Sequence, residues 1–104
     1  MTKFNQDAFG QTVRVDFNQD ISAATSYQME LRPEQGDTKT KTATLGTSAV
    51  TVDDSTYSAD QYIEYILLDG DLDEYAGRWQ KRGRAVMSST NEIFTDWELF
   101  RVME

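Results

Sequence analysis

A chain of 104 residues with ten Lys and Arg against eighteen Asp and Glu carries a net charge of −8. It has no Cys and no His, which excludes a disulfide framework, thiolate metal sites and nucleophiles activated by an imidazole. Apolar residues make up 38% and aromatics 12%, enough for one packed core and too many for a disordered chain.

Residues 1–104 read as one domain, with no repeat or linker, and residues 1–10 as an extended N-terminal arm. Met1-Thr2-Lys3-Phe4-Asn5-Gln6-Asp7 lacks the apolar stretch of a secretory signal. Val13, Val15 and Phe17 then alternate with Thr12, Arg14 and Asp16, the period of a half-buried strand. Ala23 to Thr25 allows one helical turn. Tyr27, Met29 and Leu31 alternate with Gln28, Glu30 and Arg32 and predict a second strand. Arg32 to Asp37 is a turn, with Pro33 fixing φ and Gly36 accepting a positive φ.

Thr40 to Leu45 predicts a Thr-rich strand with little to bury, Ala49 to Val52 a short one, and Asp53 to Asp60 a polar loop. Gln61 to Leu68 is the strongest strand. It is apolar on both faces near its end, so part of its outer face is expected to be covered. Its run Tyr65-Ile66-Leu67-Leu68 is far too short to span a bilayer. Asp69 to Gly77 forms a long turn. Arg78 to Met87 and Ile93 to Val102 close the chain as two strands joined by Ser88-Ser89-Thr90-Asn91. About seven strands without a helix predict an all-β fold, an immunoglobulin-like antiparallel β-sandwich; a small barrel fits the same pattern.

Charge is unevenly spread. Asp53 to Glu74 holds eight acids and no base, and Arg78 to Arg84 four bases and no acid. Asp69, Asp71 and Asp73 have the spacing that opens a calcium loop. The Gly and Glu such a loop needs further on are replaced by Glu74 and Gln80, so a solvated turn is expected and no metal site. The many carboxylates lack a context that implies burial, which disfavours a glycosidase. Arg78, Lys81, Arg82 and Arg84, interleaved with Trp79, resemble a nucleic-acid patch. The acidic total favours instead a charged strand face, with Glu64 opposite Arg82 and Tyr62 opposite Arg84.

Trp79 shares its face with Gly83, Ala85 and Met87 and is expected in the core, with Lys81 beside it forced to snorkel, pair or bulge outward. The expected core also takes Val15, Tyr27, Met29, Leu31, Ile63, Tyr65, Leu67, Ala85 and Phe100. In the last strand Phe94, Phe100 and Val102 share one parity, and Ile93, Trp97 and Leu99 the other. Both faces of that strand are therefore expected to be covered, with a neighbouring subunit or an unusual loop as the cover.

Asp20-Ile21-Ser22-Ala23-Ala24-Thr25-Ser26 leads into a strand, Gly70 to Gln80 forms an acidic turn ending in Gly77-Arg78-Trp79, and Phe94 to Val102 closes in Phe100-Arg101-Val102. Together these segments resemble small immunoglobulin-like structural proteins of tailed bacteriophages, and are similar to the N-terminal domain of the baseplate upper protein family. Lys81 departs from that pattern, which has an apolar residue there. The resemblance implies a virion component, made in the host bacterial cytoplasm, that docks other virion proteins and has no active site.

The expected function is thus a structural or adaptor subunit of a baseplate, tail or neck, not an enzyme, acting by docking and homo-oligomerisation. Capsid decoration or head-fibre protein, and a carbohydrate-binding module, are the alternatives. No cofactor, nucleic acid or membrane is expected as a partner. Tyr62, Ile66, Leu68, Tyr75 and Trp97 are the candidate interface residues, because apolar groups left outside a single core mark interfaces.

Overall fold

Residues that alternate between apolar and polar at period two form strands along most of the chain, and no helix occurs among the described residues. The computed structural model describes residues 3–52 and 54–104. Met1 and Thr2 of the expected arm, and Asp53 of the acidic segment, lie outside the described residues. The strands are β1 (Lys3–Asn5), β2 (Thr12–Asp16), β3 (Ser26–Pro33), β4 (Lys39–Thr42), β5 (Thr44–Leu45), β6 (Val50–Val52), β7 (Ser55–Tyr57), β8 (Tyr62–Ile66), β9 (Gly77–Ser88), β10 (Asn91–Phe94) and β11 (Glu98–Met103).

A first sheet runs in the order β1-β11-β9-β3-β4, with β10 also paired to β9. A second runs β2-β8-β5, and β6 and β7 form a separate hairpin. All pairs are antiparallel except β1 with β11, which is parallel. The expected all-antiparallel pairing thus fails at this edge. Phe4 of β1 is buried and meets Phe100 edge-to-face at 5.9 Å, which anchors the strand at the sheet edge.

Four of the expected segments differ in outline. The strand expected over Thr40 to Leu45 changes sheets at buried Ala43. Its amide still donates to Tyr27 of β3 at 3.0 Å, whereas Thr44 pairs with Glu64 of β8. The strand expected over Ile93 to Val102 is broken between β10 and β11. Phe94 pairs with Arg84 and Glu98 with Lys81, so three residues oppose two. That one-residue bulge reverses the parity of the strand: Phe100 and Val102 turn inward while Phe94 stays exposed. Ser55–Tyr57, expected as loop, pairs back on β6. At Ala23 to Thr25 there is a turn, closed by the Ala24 amide on the Ile21 carbonyl, and not a helical turn.

One apolar cluster lies between the two sheets. Met29, Leu31, Trp79, Ala85, Phe100 and Val102 enter it from the first, and Val13, Val15, Ile63, Tyr65 and Leu67 from the second. Full burial of each such aliphatic or aromatic side chain is worth about 1.5–3 kcal/mol. Tyr27, expected in the core, sits half-buried at its margin because its hydroxyl donates to the Ile21 carbonyl at 2.8 Å. The sheets approach closely at Gly83, where a Cβ would lie 2.7 Å from the Phe17 ring.

Candidate functional site

The five candidate interface residues do not form one surface. Ile66 is 59% exposed and Leu68 62%, both at the end of β8. The β2–β8 ladder continues beyond β2: the Gly10 amide donates to the Leu67 carbonyl at 2.7 Å, and the Leu67 amide to Gln11 at 2.9 Å. Phe9, 68% exposed, is thereby carried to the same end.

Tyr62 is a correction. Its alternation places it on the outer face of β8, yet it is only 2% exposed. The segment between β5 and β7 covers it: Tyr57 packs on its ring at 5.4 Å, its hydroxyl donates to the Ser48 carbonyl at 2.7 Å, and Gly46 lies flat against the ring. Tyr75 is half-buried. Its carbonyl accepts the indole N–H of Trp79 at 2.8 Å, so it closes the end of the core.

Trp97 lies in the bulge, half-buried, with the guanidinium groups of Arg32 and Arg82 over its ring at 3.8 and 4.5 Å. Arg82 also reaches the Phe94 ring at 4.3 Å. Such contacts contribute roughly 0.5–2 kcal/mol each. By strand parity Arg32, Arg78, Arg82, Arg84 and Arg101 all lie on the outer face of the first sheet. That is five of the six arginines in the chain. Arg82 is paired with Glu30 at 2.5 Å, Arg84 with Glu92, and Arg32 with the Gln80 amide. Arg78 and Arg101 stand directly opposite each other, an unfavourable like-charge pair. Arg78 has only a distant contact to Glu34, at 4.0 Å. Leu99 is exposed beside them.

The expected pairing of Glu64 with Arg82 and of Tyr62 with Arg84 does not occur, because β8 and β9 belong to different sheets. Glu64 instead pairs with Arg14 at 3.2 Å, and Tyr62 stands opposite Asp16. The acidic turn is met by the lysines of β4. Lys41 contacts Asp71 at 3.1 Å, and Lys39 contacts Glu74 at 3.3 Å.

Asp71 is turned inward, away from the calcium-loop arrangement. Its Oδ2 accepts the Tyr65 hydroxyl at 2.6 Å and the Leu68 amide at 2.8 Å. Burial pushes its pKa up, but the bonds from Tyr65, Leu68 and Lys41 outweigh burial and hold it below the usual carboxylate value. Burial, then the bond to Asp71, raises the Tyr65 phenol. Among the described residues, no three His, Cys, Asp or Glu side chains are grouped to hold a metal ion.

Lys81 is buried on the inner face of β9. Its ammonium donates to the Arg14 carbonyl at 2.8 Å and contacts Glu98 at 3.7 Å. Burial lowers its pKa, and Glu98 partly restores it. Trp79 is fully buried, so it cannot serve as a stacking platform between the basic residues.

Sequence reasoning placed Arg32 on the polar face of its strand but did not single it out as part of a site, and it did not single out Phe9, Phe94, Leu99 or Arg101. Arg32 and Arg101 were legible from alternation alone, since each lies between two inward apolar neighbours. Phe94 was not, because the bulge that moves it is set by the pairing with β9. No protein family, no curated protein and no solved structure matches the chain.

Proposed function

We propose that this chain is a docking subunit, a structural or adaptor component that joins other protein surfaces in a tailed-phage particle. Its scaffold in this reading is an immunoglobulin-like sandwich. Two sheets around one core support the sandwich, and the segments ending in Gly77-Arg78-Trp79 and Phe100-Arg101-Val102 support the phage setting. The carrying observation is the outer face of the first sheet, where half-buried Trp97 and exposed Phe94 and Leu99 lie among five arginines, with no covering element among the described residues. Aromatic and arginine side chains dominate the energetics of protein interfaces, and exposed apolar groups clustered on a soluble domain mark them. A sugar platform is less well supported, because the Trp97 ring is already occupied by Arg32 and Arg82.

Quantitative mass spectrometry of purified particles tests the reading. The chain is expected in the particle at a fixed copy number, sixfold or twelvefold for a tail or neck, with hundreds indicating the capsid. Absence from purified particles overturns it.

A further inference from the structure

Two exposed surfaces of this molecule complement each other in charge. The outer face of the first sheet carries five arginines against Glu30, Glu34 and Glu92. In a chain of net charge −8, that leaves the rest of the surface strongly acidic. The exposed residues Phe9, Ile66 and Leu68 lie at one end of the second sheet, with Asp7 two residues before Phe9 and Asp69 directly after Leu68. The Gln6 amide donates to the Asp73 carbonyl at 2.6 Å and ties this arm to the acidic turn. Where the arm and the turn meet the β1–β11 edge of the first sheet lies an open hollow of about 670 Å³, lined by Asn5, Gln6, Asp7, Asp73 and Glu104. Three of those five residues are acids and none is a base.

We infer that the occupant of the arginine face is a second copy of this chain, presenting the exposed residues Phe9, Ile66 and Leu68 together with Asp7 and Asp69 beside them in the chain. The inference rests on the docking reading and names the partner. Charge decides the geometry. Two arginine faces placed together repel, and so do two acidic patches, and because the two surfaces lie on different sheets a contact that joins one of each leaves the other of each pair free. Arginine face on acidic patch satisfies both and is heterologous: each copy donates one surface to the next. The like-charge pair Arg78 and Arg101, which has only the distant Glu34 contact at 4.0 Å to offset it among the described residues, gains closer carboxylates, and Leu99 meets apolar rather than charged neighbours. The acidic rim steers the approach of the basic face, and the apolar contacts hold it.

The experiment is sedimentation velocity on the full chain at micromolar to millimolar concentration. The wild type is expected to form oligomers that lengthen with concentration, and to weaken at least ~10-fold between about 0.05 M and about 0.5 M NaCl as the charges are screened. An Arg78→Glu, Arg101→Glu double variant lacks the arginine face, and Leu68→Asp lacks the patch. These positions are exposed, and circular dichroism melts check that both variants fold. Each alone is expected to be monomeric. Mixed in equal amounts they are expected to give a discrete dimer, because one retains a working patch and the other a working arginine face. A wild type that stays monomeric throughout overturns the inference, as does a mixture of the two variants that yields no dimer. If self-association is absent but the chain is still incorporated into particles, a different acidic protein occupies the arginine face. That outcome overturns the second copy as partner and leaves the docking reading standing.

Discussion

The Tyr65 hydroxyl and the Asp71 carboxylate meet at 2.6 Å, joining β8 to the turn that follows it. Asp71 also accepts the Leu68 amide and faces Lys41, so one buried carboxylate organises the whole acidic turn. Hydrogen bonds to a charged group contribute about 1.5–3 kcal/mol, and Asp71→Asn is expected to cost about 2 kcal/mol at neutral pH. The folded-state pKa lies below the ordinary carboxylate value of 3.8. The unfolded chain therefore binds the proton first as pH falls, and the stabilisation is complete above about pH 4 and lost as pH drops through the depressed value. Urea midpoints at pH 7 and below pH 3 check this. A wild-type advantage over Asp71→Asn that persists undiminished in acid contradicts it.

Trp79 is fully buried, and its indole N–H is satisfied by the Tyr75 carbonyl. Trp79→Ala removes a large aromatic from between the sheets and is expected to cost about 3–5 kcal/mol. Denaturant unfolding measures it. A loss under about 1 kcal/mol means the ring is not in the core.

That position was legible because Trp79, Ala85 and the core residues of β3 repeat at period two, and burial follows directly from alternation. The partners of each strand were not. Adjacency in sequence suggested β8 beside β9, but the long turn between them carries the chain from one sheet to the other. Two lysines of β4, which alternation marks as inward-facing on a strand with little to bury, are what the acidic turn needs to cross there. The interface candidates were mixed for the same reason. Ile66 and Leu68 are exposed as parity requires, whereas Tyr62 is covered by a loop whose path only tertiary packing sets.

Gly46 makes that cover possible. A Cβ there would lie 2.0 Å from the Tyr62 ring, and the ring is fixed by its hydrogen bond to Ser48. Gly46→Ala is expected to cost about 1–3 kcal/mol through overpacking, with NMR shift changes concentrated at Ser48, Tyr57 and Tyr62. Wild-type stability in this variant means the loop does not rest on the ring.

Lys81 replaces an apolar core residue with a charge that has two partners, only one of them ionic. A methionine fills the same space without the desolvation penalty, so Lys81→Met is expected to stay within about 1 kcal/mol of wild type at pH 7. Burial, against the pull of Glu98, sets the folded pKa below the ordinary lysine value of 10.5. Between the two values the unfolded state binds more protons, so wild-type stability relative to Lys81→Met rises as pH climbs toward 10.5. Paired thermal melts from pH 7 to about pH 10.5 measure the difference. A wild-type advantage that falls with rising pH refutes the assignment.

Trp97 separates stability from docking. Its ring is packed by Arg32 and Arg82 on the outer face and is not part of the buried core. The bulge that places it there lies beyond the last core contact of β10, so truncation leaves the sheet pairing of β9 with β3 intact. Trp97→Ala is therefore expected to cost the isolated domain about 1–2 kcal/mol, the worth of two partly exposed cation–π contacts, and to leave it folded. Docking is a different matter. A central aromatic among arginines is the typical anchor of an interface, and its truncation is expected to weaken binding by at least about 2 kcal/mol, roughly 30-fold. Incorporation into particles should fall accordingly, while the circular dichroism spectrum of the free variant matches wild type. A variant that unfolds on its own would place Trp97 in the core. One that incorporates normally would remove it from the interface.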